Sequence, residues 1–248
     1  MNLATLPLLL VFGWLVGLFL NYLADVLPRT RRLSAPHCHY CDGKISFVDY
    51  FLIRKCMQCG SERTNRTRIV QGLSVILVPV FFYFPPERFG FWLTLPYFLY
   101  FTLVFIMDVE HRVVLYEVVW AGILLSIPMG IYWNGLMSTI IGGIAGFGIL
   151  FVLYYFGVLF NRWMSKRRGE EIEEVALGFG DVNLSGVLGL VLGWPKIAIS
   201  LFFSVVAGGV FSGLYLLGSL LARRYRPFTA IPYAPFLVIV AVVLFYLA

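Results

Sequence analysis

The chain has 248 residues, of which 60% are apolar, 17% aromatic and only 13% charged, with a mean hydropathy of +0.86. Soluble domains carry about 25% charged residues, so this composition excludes a water-soluble globular surface and disorder alike and predicts an all-α polytopic membrane protein. The excess of 19 Lys and Arg over 13 Asp and Glu, with a pI near 9.2, reads as positively charged loops at a membrane and not as a nucleic-acid surface.

A helix crosses the hydrocarbon core with about 20 apolar residues. Eight stretches approach that length, at 4–27, 69–86, 89–107, 113–132, 136–160, 182–194, 196–222 and 228–247. The first has no basic n-region and is followed by Arg29, Arg31 and Arg32, which reads as a retained helix and not a signal peptide. The sixth is short, and its Gly186, Gly189 and Gly193 predict close approach of neighbouring backbones. With eight spans, loops 28–68, 108–112, 161–181 and 223–227 share one side and hold 17 of the 19 basic residues, leaving Arg88 and Lys196 for the other. The positive-inside rule then puts these four loops in the cytoplasm and both termini outside. The expected organisation is a first transmembrane helix (1–27), a cytoplasmic loop (28–68) and a transmembrane bundle (69–248).

The loop 28–68 contains Cys38-His39-Tyr40-Cys41, then fourteen residues, then Cys56-Met57-Gln58-Cys59. Two such knuckles place four thiolates around one Zn²⁺. Four thiolates leave no open position, so the zinc is structural, and it supplies folding energy to a loop of about 40 residues that has little core of its own. Two disulfides or four free thiols are the alternatives, the first opposed by a reducing cytoplasm. His37 and His39 read as solvated neighbours of the site. Gly43 and Gly60, just after the knuckles, read as the residues that turn the backbone toward the metal.

Carboxylates at a membrane boundary are functional candidates because burying their charge is costly. Asp25, Asp108, Glu117 and Asp181 qualify. Asp108 ends the apolar run of the third span, and Asp181 closes Gly178-Phe179-Gly180-Asp181 at the start of the sixth. With eight spans both lie on the cytoplasmic side at one depth. Two aspartates so placed can share a proton, one acting as general base toward water and the other as general acid. Gly178 and Gly180 are expected to let a substrate backbone approach Asp181. Glu110 and His111 read as a solvated turn, Asp25 near Asn21 as a structural hydrogen bond, and Glu117 stays without a chosen role. A proton- or cation-coupled transporter using the same carboxylates is the main alternative; a noncatalytic scaffold whose zinc loop docks a partner is another.

Taken together these residues resemble the type IV prepilin peptidase family, membrane aspartic proteases with a glycine-X-glycine-Asp motif. The resemblance rests on Gly17-Leu18-Phe19-Leu20-Asn21, Leu27-Pro28-Arg29, the four-cysteine loop, Met107-Asp108, Gly178-Phe179-Gly180-Asp181-Val182-Asn183 and Ile231-Pro232-Tyr233-Ala234-Pro235-Phe236, in the family's order. It implies cleavage of the short basic leader of prepilins or pseudopilins at the cytoplasmic face of the bacterial inner membrane, with Asp108 and Asp181 as the catalytic pair. It also implies, in many members, methylation of the new amino terminus by S-adenosylmethionine. A presenilin-like protease shares the paired aspartates; the four-cysteine loop favours the prepilin group. Two departures stand out. The run after Asp108 reads Val113-Val114-Leu115-Tyr116-Glu117 in place of a Pro-Asp pair. After the second knuckle, Arg66-Thr67-Arg68-Ile69-Val70-Gln71 has a carboxamide where the family often has a carboxylate, which leaves methylation open. Finally, Glu170, Glu171, Glu173 and Glu174 form an acidic cluster that could attract a basic leader, or simply balance Lys166, Arg167 and Arg168. The expected partners are a prepilin or pseudopilin and membrane lipid, with no nucleic acid.

Overall fold

The computed structural model describes residues 5–87, 90–168, 177–222 and 232–247. Among the described residues the regular structure is helical, with one isolated antiparallel bridge between His37 and Lys44. The helices are α1 (Leu6–Thr30), α2 (Phe47–Phe51), α3 (Asn65–Tyr83), α4 (Gly90–His111), α5 (Tyr116–Arg168), α6 (Phe179–Leu192), α7 (Lys196–Leu221) and α8 (Ala234–Leu247). Of these α1, α3, α4, α5 and α7 are long and apolar enough to cross a membrane, and the chain is a multi-pass, all-α membrane protein. Helices α6 and α8 have 14 residues each, about 21 Å at the rise of an α-helix, short of a core about 30 Å thick.

The chain divides into two compact units, Met1–Met107 and Asp108–Ala248. In the first, α1 packs on α3 through small residues. A side chain at Gly13 would have its Cβ 2.8 Å from the Ser74 carbonyl oxygen, and one at Gly17 would meet the Gln71 carboxamide at 3.0 Å. Gln71 is used structurally here, its Nε2 donating to the Trp14 carbonyl of α1, a bond that a carboxylate at this position could not donate. Aromatic rings close the seam toward α4, with Phe91 at 5.0 Å from Phe82 and 6.5 Å from Phe12. The end of α1 is set by Arg31, a left-handed C-cap (φ 52°) whose N–H returns to the Leu27 carbonyl at 2.9 Å.

In the second unit α5 is broken at Gly135, whose φ of 76° and ψ of 161° interrupt the helix. Such a conformation suits glycine alone. The break falls between the stretches expected as spans at 113–132 and 136–160, and the second segment runs on to Arg168. Along it, Gly142 and Gly146 face α6 so closely that a Cβ on Gly142 would sit 2.3 Å from the Gly189 carbonyl oxygen, and one on Gly146 2.3 Å from that of Ser185. Polar groups stitch the same seam: Ser185 Oγ donates to the Gly146 carbonyl (2.8 Å), Asn134 Nδ2 to that of Val191 (2.9 Å) and Ser138 Oγ to that of Trp194 (2.9 Å). Helix α7 meets α8 through Ser204, whose hydroxyl donates to the Ser200 and Phe236 carbonyls.

Candidate active site and metal centre

Asp108 lies in the last turn of α4, which ends when Arg112 turns left-handed (φ 53°) and returns its N–H to the Asp108 carbonyl at 2.9 Å. Asp181 is the third residue of α6. Both are buried, at 5% and 7% exposure. The N-terminal amides of two helices hold them. Asp108 Oδ2 accepts the N–H of Ala234, the first residue of α8, at 3.1 Å. Asp181 Oδ2 reaches back to accept the N–H of Gly178, the N-cap of α6, at 3.2 Å, which is the acidic half of a capping box. The other oxygen of Asp181, Oδ1, is buried and has no hydrogen-bond partner. The charge of Asp108 acts on Asp181, so residues 73 positions apart in the sequence lie within each other's field.

The two motif glycines differ in their surroundings. A Cβ at Gly180 would lie 3.0 Å from Val114 Cβ and 3.3 Å from its backbone nitrogen. The chain's own α4–α5 connector therefore fills the space beside Gly180 that was expected to admit a substrate. At Gly178 a Cβ would meet only Asp181 Oδ2 at 3.4 Å and the Gly180 nitrogen at 3.9 Å, ordinary contacts that leave room. Tyr233 lies in the stretch 231–236, and adjacent residues give its side chain no role. Its hydroxyl is buried without a partner, and the charge of Asp181 acts on it.

Of the remaining boundary groups, Glu117 is exposed, and so are Glu110 and His111, 3.9 Å apart. The cluster Glu170, Glu171, Glu173 and Glu174 lies outside the described residues.

The four cysteines converge in the first unit, their sulfurs all within 4.8 Å of one another. Cys38 and Cys59 are 3.6 Å apart, Cys41 and Cys56 3.7 Å. A tetrahedral set of thiolates at about 2.3 Å from Zn²⁺ has its sulfurs about 3.8 Å apart, so the donor set fits such an ion. Each knuckle is the same turn built twice. The N–H of Cys38 donates to Gly43 O (2.9 Å) and that of Asp42 to Cys38 O (3.1 Å); the N–H of Cys56 donates to Ser61 O (3.0 Å) and that of Gly60 to Cys56 O (2.8 Å). The left-handed residue is Gly60 (φ 68°) in the second knuckle but Asp42 (φ 56°), not Gly43, in the first. Aspartate is one of the few side chains that visit that conformation, and the Asp42 carboxylate pairs with Arg29 at 3.1 Å.

Thiol electrostatics point the same way. Burial opposes ionisation of Cys38, but the Ser61 hydroxyl at 3.3 Å and backbone N–H groups outweigh it and hold this thiol at about 6. For Cys41 a backbone N–H from Gly43 is overcome by burial and by the sulfurs of Cys59, Cys56 and Cys38, which push it up to about 12. Four sulfurs this close ionise together only around a cation.

The loop is tied to α1 by a buried polar cluster on Asp25. Its carboxylate accepts hydrogen bonds from Tyr50 and Arg66, meets His39 Nε2 at 3.0 Å and lies 3.8 Å from Arg63 Nη1. Burial and the Asp25 carboxylate push the Tyr50 phenol up, so it stays a donor. His39 is exposed, as a solvated neighbour of the site would be, but its ring also has partners. It sits between the first two cysteines and links their knuckle to Asp25 and, at 2.8 Å, to Arg29. Asn21 does not bond Asp25; its Nδ2 donates to the Thr67 carbonyl at 3.2 Å.

The model of the type IV leader peptidase family matches residues 92–213, a stretch that contains both aspartates. A prepilin leader peptidase/N-methyltransferase of Aeromonas salmonicida is 31% identical over 120 residues, which is 48% of this chain and 35% of that protein. Proteins of the same name from Dichelobacter nodosus and Bacillus subtilis are 29% and 26% identical over 92% and 93% of this chain and 77% and 89% of their own length. The match to the Aeromonas protein therefore spans about a third of its length, whereas the other two follow the chain almost throughout. No solved structure matches. Paired buried aspartates at two helix ends, a four-cysteine loop ahead of them and relatives that align along nearly the whole sequence all accord with the type IV leader peptidase family, whose model matches about half of the chain.

Proposed function

We propose that this protein is a membrane aspartic endopeptidase that removes the short basic leader of a prepilin or pseudopilin, with Asp108 and Asp181 as the catalytic pair. The observation that carries the proposal is the pair itself: two buried carboxylates within each other's field, each with one oxygen fixed by a helix N-terminus. The fixed oxygens leave the others for chemistry. The oxygen of a water bonds to the scissile carbonyl carbon while one carboxylate takes a proton from that water and the other gives its proton to the carbonyl oxygen. Collapse breaks the C–N bond, the leaving amine takes up a proton, and the pair is left sharing one proton as before. The relatives' names support the peptidase reading over the transporter.

In this proposal the protein lies in the bacterial inner membrane with both termini outside, and the metal loop and the aspartates face the cytoplasm, where the basic loops are retained. A Zn²⁺ held by Cys38, Cys41, Cys56 and Cys59 has a structural role, closing the loop that Asp25 docks on α1. The cluster Glu170, Glu171, Glu173 and Glu174 draws the basic leader toward the site. Replacing all four by glutamine is expected to slow cleavage and flatten its salt dependence.

N-methylation of the new amino terminus belongs to the same proposal on the strength of the relatives' names. S-adenosylmethionine would supply the methyl group. A shallow cleft beside the knuckles is lined by Tyr40, Arg54 and Arg63 among others.

The test is leader cleavage of a purified prepilin by wild type, Asp108→Asn and Asp181→Asn with S-adenosylmethionine present, read by mass spectrometry. Loss of cleavage in both folded variants is the expected result, with the mass of one methylene added to the wild-type product. Cleavage by either variant at the wild-type rate would remove that aspartate from the pair.

A further inference from the structure

We propose that the Tyr233 hydroxyl is a catalytic hydrogen-bond donor of this site, directed at the oxygen of the scissile carbonyl; the proposal rests on the aspartic-peptidase reading above. Three observations converge on it. The hydroxyl oxygen is buried and has no hydrogen-bond partner, an arrangement native interiors avoid unless the group serves something else. The ring is held in place by packing, 6.4 Å from the Phe236 ring and close enough to α7 that a Cβ on Gly208 would touch its Cε2 at 3.4 Å. The next residue, Ala234, gives its backbone N–H to Asp108 at 3.1 Å, so the turn that fixes one catalytic carboxylate also fixes the phenol.

The second aspartate offers the matching half. Asp181 Oδ1 is likewise buried without a partner, and it does not bond Tyr233. One unsatisfied acid oxygen and one unsatisfied O–H thus lie in the same unit, the phenol within the field of Asp181. A water and a peptide carbonyl satisfy both: the carboxyl group exchanges a proton with them, and the phenol donates a hydrogen bond to the carbonyl oxygen. As water adds to the carbon, electron density moves onto that oxygen, and the hydrogen bond from Tyr233 strengthens as the transition state forms. The phenol keeps its proton throughout, so the proton balance of the aspartate pair is unchanged. A ring kept for packing alone would need no hydroxyl, which makes the oxygen atom the part to test.

The experiment compares kcat and KM for prepilin cleavage by the full-length wild type, Tyr233→Phe, Asp108→Asn, Asp181→Asn and Tyr100→Phe. The last is a control, because Tyr100 also has a buried hydroxyl without a hydrogen-bond partner and lies in the other unit. Tyr233→Phe is expected to lower kcat by about 10²-fold with KM within about twofold, the pattern of a lost transition-state interaction, while Tyr100→Phe stays at wild type. A wild-type kcat for Tyr233→Phe, a loss confined to KM, or an equal loss in Tyr100→Phe would overturn the assignment. If the aspartate variants are inactive in the same assay, only the role of Tyr233 falls. If they cleave like wild type, the peptidase reading falls and takes Tyr233 with it.

Discussion

Asp108 and Ala234 are 126 residues apart in sequence, yet the carboxylate of the first accepts the backbone N–H of the second at 3.1 Å. This bond joins the last turn of α4 to the first residue of α8, where a helix has amides free to donate. It does for Asp108 what the N-cap amide of Gly178 does for Asp181. Each carboxylate is thereby oriented through one oxygen before any substrate arrives, and preorganisation of this kind is what electrostatic catalysis requires.

Replacing either aspartate by asparagine keeps the shape and the backbone hydrogen bond but removes the exchangeable proton. Asp108→Asn and Asp181→Asn are each expected to reduce the cleavage rate about 10³-fold or more. The double variant should be no worse than the poorer single one, because the pair acts as a unit. Rates that multiply in the double variant would show two independent groups. Initial rates with a purified prepilin settle the point.

The seam between α5 and α6 depends on the absence of side chains. A Cβ on Gly142 would lie 2.3 Å from a backbone oxygen that cannot move aside alone, whereas Gly148 on the same helix has nothing within 4 Å. Gly142→Val is expected to destabilise the protein by about 3 kcal/mol through overpacking, and Gly148→Ala to leave stability unchanged or slightly raised by helix propensity. Thermal unfolding in detergent distinguishes them.

Metal analysis of the purified protein should find one zinc per chain. Cys38→Ser and Cys56→Ser should each lose it, and a strong chelator should expose the segment 32–64, α2 included, to protease while leaving α1 and α3–α8 uncut, the outcome expected of a loop folded on a metal. Zinc retained at full occupancy in both serine variants would disprove a four-cysteine site.

Asp25 gathers His39, Tyr50, Arg63 and Arg66 around one buried carboxylate. Asp25→Asn leaves buried cations without their counter-charge and is expected to cost about 3 kcal/mol or more. The Asp49–Arg54 pair is a contrast, with its arginine 58% exposed; Asp49→Asn should cost less than about 1 kcal/mol. A stability loss for Asp25→Asn no larger than for Asp49→Asn would show that the cluster does not hold the loop.

Much of this protein was legible without coordinates. Composition alone requires membrane helices, because so few charges cannot coat a surface in water. The spacing of Cys38, Cys41, Cys56 and Cys59 announces a tetrahedral site, because a knuckle is a local turn whose geometry follows from adjacent residues. Asp108 and Asp181 could be singled out because a carboxylate at the edge of an apolar run is costly wherever the chain goes. What the sequence did not determine depends on residues far apart. That the exposed His39 reaches Asp25 of α1 is decided by the fold of the knuckle, and so is the left-handed position of Asp42, one residue before Gly43. The space beside Gly180 looked open, and it is filled by Val114 from a different element. Tyr233 stands in the 231–236 stretch that carries the resemblance, but nothing in adjacent residues shows that its hydroxyl is left without a partner. Local chemistry is written in adjacent residues; which donor meets which acceptor, and which hydroxyl is left without one, is decided only when helices distant in the chain are packed together.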